Sequence, residues 1–211
     1  MREIMVVNAK GGSGKTTIAT NLASYYANRQ MDVVLCDLDP QGSSIEWLKR
    51  RSPAKPPIKG YDAVRKRGAS RRSADICIMD TPAAQHGAAL NNLVRRAQTL
   101  IVPVLPSPMD MRAAADFLKE LKATPTVHGK RAKIALVGCR VRDYTNIFWD
   151  LDEFLRAQRI AFPTSLRDSM NYIRAADKGL GVFDMSRYAT ATDREEWTPL
   201  LRWLGSQRSM P

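Results

Sequence analysis

Short, continuously apolar runs alternate with helix-like segments along this chain, and no other feature constrains its fold as strongly. The apolar runs cover residues 4–7, 33–36, 76–79, 100–104 and 134–137, and the helix-like segments residues 18–29, 43–50, 88–96, 109–122 and 147–158. A strand that is apolar at every position is covered on both faces, and helical crossovers join parallel strands. The sequence therefore predicts an α/β fold, with helices on both faces of a mostly parallel central sheet.

The length of 211 residues fits one domain, so we predict a single domain spanning residues 1–211. Residues 51–73 interrupt the alternation, because they are rich in proline, glycine and basic residues. We interpret them as an insertion whose first half is an ordered loop, with residues 61–67 forming one or two helical turns. A last helix is predicted at about 193–206, and Pro199 is expected to limit it to a turn or two.

No apolar run approaches the ~20 residues that a membrane-spanning helix requires. Asn8 and Lys10 follow the first apolar run directly, which is not the layout of a signal peptide. Cys36 and Cys77 lie inside apolar runs, and three cysteines cannot all pair. These features predict a cytoplasmic protein with reduced cysteines.

A glycine-rich segment joins the first predicted strand to the first helix. It reads Lys10-Gly11-Gly12-Ser13-Gly14-Lys15-Thr16-Thr17. At such a junction, free backbone N–H groups and the positive helix end bind phosphate, with Lys15 at the β- and γ-phosphates and the Thr16 hydroxyl at Mg²⁺. Ala9 replaces the first glycine of the strict pattern, so the segment fits a deviant form with Lys10 as a second lysine. We therefore predict a P-loop NTPase rather than an unrelated glycine-rich turn.

Carboxylates follow two of the predicted strands. Asp37 and Asp39 come after the second strand and Asp80 after the third, at the edge where parallel sheets bind ligands. Without a neighbouring phosphate loop, Asp37 and Asp39 could simply start a turn and a helix, and Asp80 could simply cap the end of a strand. Beside a phosphate loop, acidic side chains at this edge favour a Mg²⁺ site.

Lys-Gly-Gly-Ser-Gly-Lys-Thr-Thr resembles the deviant Walker A loop of the ParA/MinD superfamily of ATPases, and the resemblance extends from about Ile4 to Phe183. It implies that Lys15 binds ATP within its own subunit, while Lys10 reaches the partner subunit's ATP in a sandwich dimer. It also implies that Asp39 orients the attacking water. Thr16, Asp37 and Asp80 would lie at the Mg²⁺ ion and its waters.

Weaker parts of the resemblance lie further along the chain. Residues 81–87 correspond to switch II, and we expect His86 to be a switch side chain rather than a metal ligand. The proline-rich residues 103–110 resemble small, ParF-like partition ATPases, in which Asp110 would cap the next helix or face the dimer partner. Arg140 would contact adenine, and residues 163–167 would lie near the nucleotide and the dimer face.

Cysteine use and the C-terminal segment distinguish the branches of this superfamily. The iron-protein branch requires two cysteines per subunit at a cluster, and with Cys36 and Cys77 in strands only Cys139 is left. Residues 197–204 are amphipathic, as in a MinD-like membrane helix. We instead expect a last helix packed on the sheet and no membrane binding, since Glu195 and Glu196 precede this segment.

Lysine and arginine number 33 against 21 acidic residues, a net charge of +12 that favours polyanions. Relatives bind DNA non-specifically through basic residues of the C-terminal half, which makes Arg142, Arg167, Arg174 and Lys178 our candidates. No helix-turn-helix segment precedes the P-loop, so operator recognition is not expected. Solubility or an acidic partner is the alternative use of this charge.

Taken with the resemblance, these residues predict an ATPase that uses ATP and Mg²⁺, forms an ATP-sandwich homodimer and binds nucleoid DNA. A ParB/ParG-like or cargo-adaptor protein would stimulate hydrolysis, and the cycle would position a plasmid, a chromosome region or a protein body, as in McdA-like ATPases. The alternatives are a nucleotide-gated scaffold or filament, a MinD-like membrane-cycling ATPase and a role in conjugative DNA transfer.

Overall fold

The computed structural model describes residues 1–68, 74–142 and 145–211. In these residues eight strands form one sheet in the order β4-β3-β2-β5-β1-β6-β7-β8, and only the β3–β4 pair is antiparallel. The strands are β1 (Arg2–Val6), β2 (Val33–Asp37), β3 (Lys59–Asp62), β4 (Arg67–Gly68), β5 (Ile76–Asp80), β6 (Thr99–Val104), β7 (Lys133–Val141) and β8 (Ala161–Arg167).

Eight α-helices are described around this sheet. They are α1 (Lys15–Ala27), α2 (Ser43–Lys49), α3 (Gly87–Val94), α4 (Pro108–Ala123), α5 (Pro125–His128), α6 (Asn146–Ala157), α7 (Met170–Asp177) and α8 (Ala191–Leu204). Every strand and helix predicted from the alternation is present, with small shifts at the ends.

Alternate residues of the central strands face two separate apolar cores. Ile4 and Val6 of β1 pack with α1, α2 and α8, whereas Met5 on the opposite face packs with α3, α4 and α6. Because both faces are covered, the positions of β1, β2, β5 and β6 away from the strand ends are apolar. The predicted α/β fold with helices on both faces of a mostly parallel sheet is confirmed.

The chain from 161 to 177 adds a strand and a helix that the apolar pattern did not predict. β8 pairs in parallel with β7 at the edge of the sheet, and most of its residues are only half-buried. An edge strand has one side without a neighbouring strand, so it does not need the continuous apolar run by which the inner strands were identified.

The helical turns predicted for residues 61–67 are wrong. Residues 59–62 form β3, which pairs in parallel with β2, and residues 67–68 return as β4. The Asp62 carboxylate accepts a hydrogen bond from the N–H of Arg65 at 2.9 Å, which stabilises the turn between them. Pairing with the open edge of β2 satisfies more backbone groups than an isolated helical turn would. The rest of the predicted insertion, with Arg71 and Arg72, lies partly outside the described residues.

The prediction that Pro199 would limit the last helix is also wrong. α8 runs for 14 residues through Pro199, because Trp197, Leu200 and Leu204 hold it against the sheet. Pro199 lies on the exposed side, where water can bond the carbonyl freed by the missing N–H. Among the described residues, no helix combines the length and apolar character that crossing a membrane requires.

Candidate nucleotide-binding site

The glycine-rich segment forms a tight loop between β1 and α1. Gly14 precedes the helix with φ of 98°, a left-handed conformation that side chains rarely adopt. The Ser13 hydroxyl donates to the Lys10 carbonyl at 3.1 Å and closes the loop. The N–H of Ala84 donates to the Ala9 carbonyl at 2.7 Å, which ties the segment after β5 to the loop.

No hydrogen bond within the described parts of the chain is recorded for the backbone N–H groups of Gly11, Gly12 and Gly14. They lie at the N-terminus of α1, where the helix dipole adds positive potential. Unpaired, convergent N–H groups at a helix N-terminus form an anion-binding nest. The predicted phosphate site therefore has the geometry that phosphate oxygens require.

Lys15 lies inside this loop rather than in solvent. Its Nζ donates to the Lys10 carbonyl at 3.0 Å, and the residue is buried. Burial lowers the pKa of Lys15, while the carboxylates of Asp80 and Asp39 partly oppose that shift. Because nearby carboxylates compensate the positive charge of Lys15 only in part, Lys15 can stabilise a bound polyphosphate.

Thr16 and Asp80 form the innermost pair of the site. The Thr16 hydroxyl donates to Asp80 Oδ2 at 2.8 Å, whereas Asp80 Oδ1 is buried without a hydrogen bond. Burial raises the pKa of Asp80 to about 7, Asp37 adds to the shift, and the Thr16 hydroxyl and Lys15 oppose it. A buried carboxylate oxygen without a partner fits the second shell of a hydrated divalent cation.

Asp37 acts as an anchor for the helix that follows it. Its carboxylate accepts hydrogen bonds from the N–H groups of Asp39, Ser44 and Ile45 at 3.0, 3.0 and 3.1 Å. Asp39 is half-exposed, and its Oδ1 accepts from the N–H of Gln41 at 2.9 Å. The structure thus brings Asp37, Asp39 and Asp80 to one edge of the sheet beside Lys15.

No cluster of three or more His, Cys, Asp or Glu side chains able to hold a metal occurs in the described residues. A Mg²⁺ ion needs no such cluster, because it keeps several waters and takes few protein ligands besides substrate phosphates. Thr16 and Asp80 are the groups that would hold it here, directly and through water. The assignment of Asp37 to the metal stays a prediction.

Lys10 forms an ion pair within its own subunit. Its Nζ lies 3.2 Å from Asp110 Oδ1, with side-chain exposures of 37% and 12%. Ser107, not Asp110, caps α4, since its hydroxyl accepts a hydrogen bond from the Asp110 N–H at 3.3 Å. Asp110 therefore contacts the phosphate loop, a position that the proline-rich motif by itself did not reveal.

A cavity of about 640 Å³ opens beside the phosphate loop. Gly14 and Thr17 line one side, and Arg140 lines another with φ of 53°, at the end of β7. Burial raises the pKa of the neighbouring Cys139 to about 12, so this thiol stays protonated. The size and position of the cavity suit a nucleoside, and the assignment of Arg140 to adenine stays a prediction.

Several lining residues were not predicted, among them Arg50 from the end of α2 and Asp177 from α7. They lie far apart in sequence, so only the tertiary structure places them at one cavity.

The segment after β5 is held at both ends. The Thr81 hydroxyl donates to the Val6 carbonyl at 2.8 Å. His86 Nδ1 lies 2.7 Å from Glu120 Oε2, and the Gly87 N–H donates to Glu120 Oε1 at 2.6 Å. His86 thus contacts a carboxylate of α4. Sequence reasoning missed Glu120, because nothing in the spacing of α4 distinguishes it from a solvated residue.

The predicted DNA-binding residues differ in how far their charge is compensated. Arg142 Nη2 pairs with Asp168 Oδ2 at 3.0 Å, and Arg167 Nε pairs with Asp193 Oδ1 at 2.9 Å. Arg174 and Lys178 line a small cavity that also contains Asp177. The structure does not bring the four into one continuous patch free of acidic residues.

Three basic residues of the predicted insertion are also paired with aspartates. Arg51 pairs with the buried Asp184 at 2.7 Å, Lys59 with Asp32 at 2.6 Å and Arg65 with Asp62 at 2.9 Å. These basic residues therefore stabilise the fold through ion pairs, and their charge is less available to a binding partner.

The chain is similar in sequence and in structure to known proteins. The family model of the CobQ/CobB/MinD/ParA nucleotide binding domain matches residues 4–193. Maintenance of carboxysome distribution protein A of Gloeobacter kilaueensis is 31% identical over 195 residues, covering 86% of this chain and 83% of that protein. The chromosome-partitioning ATPase Soj of Thermus thermophilus is 30% identical over 178 residues, covering 68% of this chain and 70% of that protein.

Among solved structures, apo McdA of Cyanothece aligns with a TM-score of 0.74 at 14% identity, covering 97% of this chain and 100% of that one. At this identity the likeness supports the fold alone. The family model, in contrast, spans most of the sequence and includes the phosphate loop. The resemblance to the ParA/MinD superfamily is thereby confirmed, and the chain belongs to the CobQ/CobB/MinD/ParA nucleotide-binding family.

Proposed function

We propose that this protein is an ATPase that dimerises around ATP, binds DNA without sequence preference and positions a cellular cargo. The observation that carries the proposal is the pair of lysines at one phosphate loop. Lys15 lies inside the loop, whereas Lys10 lies at its rim and is more than a third exposed. A cation at the rim can reach a phosphate held by a second subunit, much as an arginine finger does.

The other residues of the site have separable roles in this proposal. The N–H groups of residues 11–16 and Lys15 bind the β- and γ-phosphates, and Thr17 and Arg140 line the nucleoside side. A bound Mg²⁺, held by Thr16 and by Asp80 through water, would neutralise charge on the phosphates. Asp39 orients a water for in-line attack on the γ-phosphorus, and the bond to the β–γ bridging oxygen breaks to release ADP and phosphate.

The names of two relatives support a protein body or a chromosome region as cargo. The Gloeobacter protein is named for carboxysome distribution and the Thermus protein for chromosome partitioning, and this chain covers most of each. We infer that an adaptor on the cargo stimulates hydrolysis and that the protein works in the cytoplasm on the nucleoid. The net charge of +12 supports binding to nucleoid DNA, because a basic protein is attracted to the phosphate backbone.

Nucleotide-dependent duplex binding is the test of this proposal. Anisotropy of a labelled non-specific duplex is measured without nucleotide, with ADP and with a slowly hydrolysed ATP analogue, for the parent and for Lys10→Ala. We expect binding that requires both the analogue and Lys10 and that weakens steeply with salt. Light scattering in the same samples separates a dimer from a filament.

Two further variants test the site assignment through ATP binding and turnover. Lys15→Ala should lose ATP binding, because the buried loop then lacks its cation. Asp39→Ala should keep ATP binding, lose turnover and remain on DNA. If Asp39→Ala and the parent hydrolyse ATP at the same rate, the role of Asp39 is wrong.

A further inference from the structure

A second cleft, far from the phosphate loop, is lined by basic residues and by none that are acidic. It measures about 680 Å³ and lies between the end of α1 and one face of α8. Four of its ten lining residues are arginines: Arg29, Arg187, Arg194 and Arg202. We call this the arginine cleft. Its other lining residues are Tyr25, Phe183, Ala191, Thr198, Leu201 and Gly205.

Three separate chain segments bring these arginines together. Arg29 follows α1, Arg187 precedes α8, and Arg194 and Arg202 lie on α8 itself. Arg194, Thr198 and Arg202 recur every four residues, a spacing that places them on one helix face. The cleft is therefore formed by tertiary packing, and no contiguous basic motif in the sequence predicts it.

Arg194 forms the fixed floor of the cleft. Its Nη2 donates to the carbonyls of Phe183 and Met185 at 3.0 and 2.9 Å, and its Nε donates to the Thr190 hydroxyl at 2.9 Å. Burial lowers the pKa of Arg194, the positive charge of Arg187 lowers it further, and the Asp184 carboxylate partly opposes the shift. Two guanidinium groups that repel each other are stabilised when an anion binds between them.

The other three arginines are exposed and lack a carboxylate partner within the described residues. Arg29 lies over the Tyr25 ring, with 4.8 Å between its Cζ and the ring centroid, so part of its conformational freedom is already lost. This differs from Arg51, Arg142 and Arg167, each of which pairs with an aspartate. The arginine cleft thus offers uncompensated positive charge.

We propose that the arginine cleft binds the phosphodiester backbone of duplex DNA, an inference that rests on the DNA-binding part of the proposed function. Guanidinium groups bind phosphates through two parallel hydrogen bonds, and backbone contacts alone give affinity without sequence preference. A lipid surface fits less well, because three of the apolar residues of α8, Trp197, Leu200 and Leu204, are buried against the sheet, and Leu201 and Trp203 are half-buried. That leaves little apolar surface on α8 for insertion into a bilayer.

The cleft lies at the opposite end of α1 from the phosphate loop. α1 begins at Lys15 and the cleft begins at Tyr25, about 15 Å along the helix. If the proposed dimer closes over the nucleotide at the other end of α1, we expect both clefts to stay open, one on each subunit. Nucleotide would then control DNA affinity by linking two weak sites into one bivalent protein.

A charge-matched pair of triple variants tests this inference. The cleft variant is Arg29→Gln, Arg187→Gln and Arg202→Gln, with Arg194 left in place because it bonds the backbone. The control is Arg95→Gln, Arg96→Gln and Arg131→Gln, three exposed arginines on the opposite face of the sheet. Both lose the same net charge, and thermal melting checks that both fold.

Duplex anisotropy is measured with the ATP analogue over a range of salt concentrations. We expect the cleft variant to bind at least about tenfold more weakly, with the salt slope reduced by about 0.9 for every phosphate that it no longer neutralises. The duplex affinity of the control variant should remain within about twofold of that of the parent, since salt screens charges that lie more than ~10 Å from the DNA.

Four results would overturn the inference. If the cleft variant binds the duplex as the parent does, DNA contacts another surface and the proposed function stands. If both triple variants weaken binding equally, only net charge matters. If the parent hydrolyses ATP but never binds duplex, DNA binding fails while the ATPase assignment stands. If vesicles of phosphatidylglycerol and phosphatidylcholine, rather than duplex, bind the parent and not the cleft variant, the partner is a membrane.

Discussion

Asp110 holds Lys10 within its own subunit, with 3.2 Å between Lys10 Nζ and Asp110 Oδ1. In the proposed dimer the same Lys10 must reach the partner subunit's nucleotide. The two arrangements exclude each other, so the ion pair opposes dimerisation. Because the ion pair is partly exposed, we expect it to oppose dimerisation by only about 0.2–1 kcal/mol of free energy per subunit.

Asp110→Asn should therefore strengthen nucleotide-dependent dimerisation by about 1.4- to fivefold for each subunit. Sedimentation velocity with the slowly hydrolysed ATP analogue measures the dimer dissociation constant. Asp116→Asn removes an exposed carboxylate from the same helix and serves as the control. Weaker dimerisation of Asp110→Asn would show instead that Asp110 contacts the partner subunit.

Thr16→Val should destabilise the nucleotide-free protein by about 1–3 kcal/mol, since it removes the only hydrogen bond described for the Asp80 carboxylate. Urea denaturation in EDTA measures this difference. Thr17→Val is the matched control, because no hydrogen bond from the Thr17 hydroxyl is described. The ATP analogue with Mg²⁺ should raise the melting temperature of the parent more than that of Thr16→Val, and equal shifts would remove Thr16 from the metal site.

Asp184→Asn should lower the free energy of unfolding, measured by urea denaturation, by about 3–5 kcal/mol, because it leaves Arg51 buried without a counter-charge. The two side chains are 4% and 0% exposed, and Arg51 Nη1 lies 2.7 Å from Asp184 Oδ2. The control Asp152→Asn breaks the largely exposed pair with Arg156 and should cost less than about 1 kcal/mol. Similar losses of stability in the two variants would contradict this interpretation.

Asp184 also predicts how stability depends on pH. Burial alone would raise the pKa of Asp184, but hydrogen bonds from Arg51, Gly181 N–H, Ser24 and Asn28 hold it below the ordinary value of 3.8. Its stabilising contribution is therefore complete above pH 3.8 and is lost as the pH falls toward the folded-state pKa. Chemical denaturation between pH 2 and pH 5 should show a weaker pH dependence in Asp184→Asn than in the parent.

Gly179→Ala should destabilise the protein by about 2–5 kcal/mol. Gly179 has φ of 63°, and a Cβ there would lie 2.7 Å from the Trp47 carbonyl oxygen and 2.6 Å from the Arg50 carbonyl carbon. Gly87→Ala is the control, because it has φ of 53° with nothing within 4 Å of the Cβ position. That variant should cost only the left-handed strain of about 1–2 kcal/mol. Equal losses by urea denaturation would mean that α2 moves aside freely.

Residues close together in the sequence explain why so much of the candidate site was predictable. Lys10 to Thr17 form one loop, and the loop's chemistry depends only on glycine freedom, a helix N-terminus and two lysines. Asp37 and Asp80 end apolar strands, and parallel strands end at one edge of the sheet. Those predictions required no knowledge of long-range contacts.

Where the sequence misled, tertiary contacts outweighed local preference. The hairpin at residues 59–68 exists because β2 offers an open edge, and α8 continues through Pro199 because Trp197 and Leu200 are buried on the other side of the helix. Local propensities are worth at most a few kcal/mol, which burial of large apolar side chains exceeds.

The sequence by itself determined the α/β fold, the phosphate loop and the acidic edge beside it, because each depends on a local pattern or a contiguous motif. Only the tertiary structure decided that Lys10 pairs with Asp110, that Arg51 is a buried partner of Asp184, and that four arginines from three segments share one cleft. The two ion pairs join residues 100 or more positions apart, and the cleft adds Arg29, just after α1, to three arginines in and near α8, so packing rather than a contiguous motif brings these charges together.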